Sequence, residues 1–180
     1  MSQKNVISWS RDYFLKFSDF KADSNPATFE DAHSTIRYSY TWTVNSEGMG
    51  DKIKFFIENI VLTTEFYPML SWIRQSQEST LLLKHEQGHF DLVEMLKPKI
   101  INDIEDYLLG KKFPTHGKNQ EQQKQFARES SGLMIANEIE KWEKYIFHER
   151  QEYDAQTNYG RILEKQEKYD DMFKKLRNIV

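Results

Sequence analysis

His85, Glu86 and His89 fall in the run His85-Glu86-Gln87-Gly88-His89, two imidazoles four residues apart with a carboxylate beside the first. On an α-helix, residues at that spacing project from one face about one turn apart, so both rings can grip a single ion. Zinc suits such a pair. Glu86 then stands where it can take a proton from a water whose pKa zinc lowers towards about 7. This is the chemistry of a metal-dependent hydrolase, with His85 and His89 as ligands to Zn2+ and Glu86 as the catalytic base. The plain alternative is a pair of surface histidines flanking a solvated glutamate. Against it, Leu82, Val93 and Leu96 share the same helical sector, so the polar trio sits in an apolar stripe, and buried polar groups need partners.

The elements that must position this trio are legible in the hydropathy pattern. Ile36 to Val44 alternates strictly, with Ile36, Tyr38, Tyr40, Trp42 and Val44 on one side, which predicts a half-buried strand. Lys52 to Val61 alternates again beyond the turn-rich NSEGMGD, placing Ile53, Phe55 and Ile57 opposite Lys54, Phe56 and Glu58, so the two runs predict an antiparallel hairpin. Val6 to Trp9 adds a short strand. After Ser79 the period changes to that of a helix, with Ser76 or Ser79 as its cap and Pro98 expected to break, kink or restart it. A second helical stretch runs to Leu109 and ends at Gly110 and the FPTHG segment. The longest helix is expected over 120–156, with Ile135, Ile139, Trp142, Ile146 and Tyr153 facing a core, and a last one over 161–176. The fold class is therefore α+β: a small N-terminal antiparallel sheet or hairpin, then a zincin-like HExxH helix and two or three further helices, one of them long.

A chain of 180 residues favours one domain, 1–180, and the 12 Phe, 9 Tyr and 4 Trp supply ample surface to drive its collapse. With a net charge of -3 there is no basic field for phosphates, so nucleic acid is not an expected partner. No membrane span is expected either, since no apolar run approaches the roughly 20 residues a bilayer takes. The opening MSQKNVISWSRDYF lacks the apolar stretch of a signal peptide, which reads as a cytoplasmic chain. The absence of cysteine removes disulfides, thiolate nucleophiles and Cys-ligated zinc, leaving His, Asp, Glu and Tyr as donors.

Zinc wants a third protein ligand, and the motif does not name it. Leu92 and Met95 stand where the metzincin extension has its glycine and third histidine, so that extension is excluded. Glu105, in the place of a thermolysin-like glutamate, would lie roughly 24 Å from His89 along an unbroken helix, so it requires a reversal near Pro98. Asp91 and Glu94 are candidates for orienting an imidazole, with a solvated helix face as the alternative. His33, His116 and His148 read as surface residues, the last within reach of Glu152. Gly88, on the far side of the helix, leaves room for close packing.

His85 to Asp91 reads HEQGHFD. Further on stands Tyr153-Asp154-Ala155-Gln156-Thr157-Asn158-Tyr159-Gly160, followed by Gln166 and Tyr169. With Ser71-Trp72 and the IRYSYTW strand, nearly the whole chain resembles the bacterial domain-of-unknown-function 922 family, regarded as zinc-dependent proteases. The resemblance implies a peptidase acting on a peptide or protein substrate, and related chains are commonly exported with a leader that is removed. In the family's second block a histidine, the natural third ligand, usually stands where this chain has Tyr159. Tyr159 is therefore one candidate third ligand, as phenolate, and Asp154 is the other; the alternative role for Tyr159 is a hydrogen bond to an oxyanion without touching the ion. The same departure admits a rival reading: a degenerate, non-catalytic relative that binds peptides or proteins. A third reading is a helical interaction module with incidental histidines.

Overall fold

The computed structural model describes residues 6–48, 53–113 and 116–178. Strands β1 (Ile7–Ser8), β2 (Ala32–His33), β3 (Ile36–Glu47), β4 (Lys54–Phe66) and β5 (Trp72–Ile73) precede helices α1 (Thr80–Leu108), α2 (Gln120–Thr157) and α3 (Leu163–Arg177). The chain is α+β, a small antiparallel sheet near the N-terminus followed by three helices, one of them long, as its periodicity predicts. One sheet has the order β1-β4-β3, with β1 antiparallel to β4 through Ile7 opposite Phe66, and β2 pairs antiparallel with β5. The expected hairpin turn and the FPTHG stop lie partly outside the described residues, at 49–52 and 114–115.

The inward face of β4 departs from simple alternation. Phe55 is buried, but farther along the buried residues are Ile60, Leu62, Thr64 and Phe66, so the inward set changes from odd to even positions and Ile57 is only half-covered. Asn59, with φ of 54°, lies where the phase changes; a left-handed residue of this kind kinks a strand and shifts its facing by one. Ile53, Phe55 and Ile57 share the inward side up to that residue, whereas the alternation expected to run on to Val61 fails there, and Val61 is exposed.

Ser79 caps α1 as expected, its Oγ accepting from the Leu82 N–H at 3.1 Å. Helix α1 then runs through Pro98 without the predicted break. Proline there removes a backbone donor, a cost of about 3 kcal/mol, but Ile100, Ile104 and Leu108 are buried beyond it and their packing outweighs that loss. No reversal brings Glu105 back towards the histidines.

The chain forms two compact units: residues up to 39, 63–97 and from 146 onward in one, 40–62 and 98–145 in the other. In the second, Trp42 donates to Ser131 at 2.9 Å and lies over Gly132, and the Phe113 N–H donates to the Phe55 carbonyl at 2.8 Å. In the first, Leu15, Phe66 and Phe90 make one core cluster, and Leu92, Tyr153 and Phe173 another. Arg177 at the end of α3 clamps this unit, pairing with buried Asp91 and donating to the carbonyls of Ser10, Arg11 and Tyr13. Asp91 also accepts from Trp9 and Gln87, so it is an anchor for distant segments rather than an orienter of imidazole or a solvated charge. Glu94 likewise is buried, accepting from Thr64 and Lys97.

Gly88 is needed where α1 meets Tyr153. A Cβ there would lie 2.0 Å from the Tyr153 Oη, and Tyr153 is fully buried. Gly88→Ala gains about 1 kcal/mol of helix propensity, but overpacking costs typically about 1–3 kcal/mol and this contact is severe. The variant is expected to be less stable than wild type by urea unfolding; an equal or higher midpoint contradicts the packing described.

Candidate metal centre

Both histidines point inward from α1, His85 fully buried and His89 5% exposed. Their rings stand edge to face with centroids 4.9 Å apart. Asp154 reaches them from the last turns of α2, its Oδ1 2.9 Å from the Nε2 of His85 and 2.9 Å from the Nε2 of His89. The three donor atoms lie within 4.8 Å of one another, compatible with the spacing of about 3.3 Å between ligand atoms of a tetrahedral ion with bonds near 2.0–2.1 Å. Two imidazoles and a carboxylate are a donor set that zinc accepts.

Hydrogen-bond directions give an independent test of that fit. Gln166 donates its amide Nε2 to Asp170 Oδ1 at 2.9 Å, which turns its carbonyl Oε1 towards His85 Nδ1 at 3.3 Å. Thr157 Oγ1, 3.4 Å from the same nitrogen, gives its own hydrogen to the Tyr153 carbonyl at 2.7 Å. Nδ1 thus faces two acceptors and carries the ring hydrogen, leaving the Nε2 lone pair of a neutral His85 aimed at a carboxylate oxygen. Two lone pairs at 2.9 Å require a cation between them, a proton or a metal ion. The residues fit a bound metal.

The block from Tyr153 to Gly160 wraps this histidine. Tyr153 stacks on the His85 ring at 4.5 Å, and Gly160, with φ of 79°, passes so close that a Cβ would lie 3.0 Å from that of His85. Tyr159 has an unusual positive φ of 54°, as does Asn158 before it. Its ring centroid is 6.2 Å from that of His85 and it is 44% exposed, which puts it at the mouth of the site. Burial and the charges of Asp154 and Glu30 raise its pKa, which disfavours phenolate. Of the two candidate third ligands, Asp154 is the one whose oxygen meets both rings.

Glu86 is 4% exposed and accepts a hydrogen bond from Ser34 Oγ at 2.5 Å. The pairing of β2 with β5 sets Ser34 there. Burial raises the pKa of Glu86 above the usual carboxylate value, against the opposing influence of His85, Ser34 and Arg150. For Asp154, burial acts in the same upward sense but is outweighed by the hydrogen bonds from the two histidines, which hold it well below the usual range. His89 is lowered to about 3 by burial and then by the charge of Arg150.

Sequence reading passed over Ser34 and Arg150. Arg150 donates from Nε to His89 Nδ1 at 3.2 Å and from Nη2 to the Ser34 carbonyl at 2.7 Å. Its signal was the helical spacing of Arg150, Tyr153, Asp154 and Thr157, which puts all four on one face of α2. A cleft of about 460 Å³ opens beside Asp154, lined by Glu30, His33, Phe147, Arg150 and Tyr159 among others. His148 is exposed, and His116 stacks on Phe126. No helix among the described residues is long and apolar enough to cross a membrane. Compared with family models, with curated proteins and with solved structures, the chain matches none.

The pH dependence of the metal-free protein follows from His89. Its unfolded value is 6.5 and its folded value about 3, so between those limits the unfolded chain holds a proton that the fold rejects, and stability falls as pH drops. Glu86, raised by burial, contributes with the opposite sign above its unfolded value of 4.5. His89→Gln isolates the first effect: its unfolding free energy is expected to fall less steeply on acidification from pH 6.5 than that of wild type, by up to roughly 1.4 kcal/mol per pH unit. Parallel pH profiles contradict the assignment.

Proposed function

We propose that this protein is a zinc-dependent peptidase. The observation that carries the reading is the convergence of His85 Nε2, His89 Nε2 and Asp154 Oδ1, with the buried Glu86 next in sequence to one of the rings. The implied family resemblance points the same way. His85, His89 and Asp154 would hold the ion; bound there, zinc lowers the pKa of a water and polarises a carbonyl.

The chain's own residues supply the rest. Glu86 accepts the proton of the attacking water and returns it to the leaving amine, a task helped by the raised pKa that burial confers. Ser34 fixes the Glu86 carboxylate through its short hydrogen bond. The cleft beside Asp154 receives the peptide, with Phe147 and Tyr159 offering exposed aromatic faces to its side chains.

Glu86→Gln keeps the size of the side chain and removes its basicity. It is expected to retain zinc, measured by elemental analysis after purification without a histidine tag, and to lose peptide hydrolysis by about 10²-fold or more. Wild-type turnover in that variant rejects the mechanism. Asp154→Ala is expected to lose zinc, and chelation of the wild type to abolish hydrolysis until zinc is returned. Zinc binding with peptide capture but no hydrolysis by the wild type would favour the non-catalytic relative.

A further inference from the structure

The two imidazoles of the cluster are held in opposite senses. His85 presents Nδ1 to the acceptors Gln166 Oε1 and Thr157 Oγ1, the usual arrangement for a ligating histidine, whose outer N–H is donated so that its inner nitrogen keeps a lone pair. His89 presents Nδ1 to a donor. The Nε–H of an arginine has no lone pair to offer, so at 3.2 Å it makes His89 Nδ1 the acceptor. The ring hydrogen of neutral His89 is then on Nε2, pointing at Asp154 Oδ1 at 2.9 Å. Arg150 does not hang loosely there, because its Nη2 is bonded to the Ser34 carbonyl at 2.7 Å.

We infer that Arg150 is a positioning residue that opposes metal coordination by His89: its Nε keeps the ring hydrogen on the nitrogen that must bind the ion, and His89 becomes a ligand only when Arg150 releases Nδ1. This rests on the metal-site reading above, although the placement of the ring hydrogen is a property of the metal-free protein. Binding of the ion and release of Arg150 are therefore linked, so whatever detaches the guanidinium tightens metal binding, and the ion in turn favours detachment.

Three variants separate the donor from the charge. In Arg150→Gln the amide oxygen falls at the same place along the side chain as the arginine Nε and can accept from Nδ1–H. Arg150→Met removes both donor and charge, and Arg150→Lys keeps both. Zinc affinity, measured by chelator competition on each protein after its fold is checked by circular dichroism, is expected to be higher in Arg150→Met than in wild type and about tenfold higher again in Arg150→Gln, with Arg150→Lys near wild type. Long-range nitrogen–proton NMR correlations of the metal-free wild type are expected to show Nε2–H at His89. Zinc affinity of Arg150→Met no higher than that of wild type, or an Nδ1–H at His89 in the wild type, would overturn the role of Arg150 and leave the metal site standing. Zinc bound by none of the four proteins overturns the metal reading itself.

Discussion

His85 Nε2 and Asp154 Oδ1 face each other with a lone pair apiece, and a positive charge, a proton or an ion, must lie between them. Much of the first unit is arranged around that demand. The orientation of His85 descends through a chain of hydrogen bonds from Asp170 to Gln166 to Nδ1, and Lys84 pairs with the outer oxygen of Asp170 at 2.5 Å. Tyr153 covers one face of the ring and Gly160 lets the backbone pass close to its Cβ. A loose ring would turn its nitrogen to water; this one is packed so that it can only face Asp154.

The same enclosure sets the electrostatics. Glu86 and Asp154 are both carboxylates near the same imidazoles, yet their pKa values are driven apart: Asp154 sets one oxygen between two imidazole nitrogens, whereas Glu86 has a hydroxyl and little water. One is suited to stay charged and hold a cation. The other is suited to exchange a proton.

How much of this could be read from the letters depended on whether the determinant was local. The trio on α1, the cap at Ser79 and the long helix follow from spacing along a single element, and all three stand in the structure. Asp154 was one of two alternatives because a helix ends within four residues of it, and the left-handed turn at Asn158 and Tyr159, which decides which side chain goes in and which goes to the mouth, has no strong sequence signature without glycine at those positions. Pro98 misled in the other direction, since a local rule about proline gave way to apolar packing beyond it. Asp91 was out of reach altogether: its partners, Trp9 and Arg177, are 82 and 86 residues away.

That last contact has a consequence for the order of assembly. The guanidinium of Arg177 meets the carbonyls of Ser10, Arg11 and Tyr13 across 164 to 167 residues of chain. During synthesis the segment from Ser10 to Tyr13 therefore waits until Arg177 has been made, and Asp91, meanwhile, lacks the cation it is buried with. The ring stack, the Gln166 relay and this clamp all arrive late, so the histidine-bearing helix is made well before the parts of α2 and α3 that cover His85.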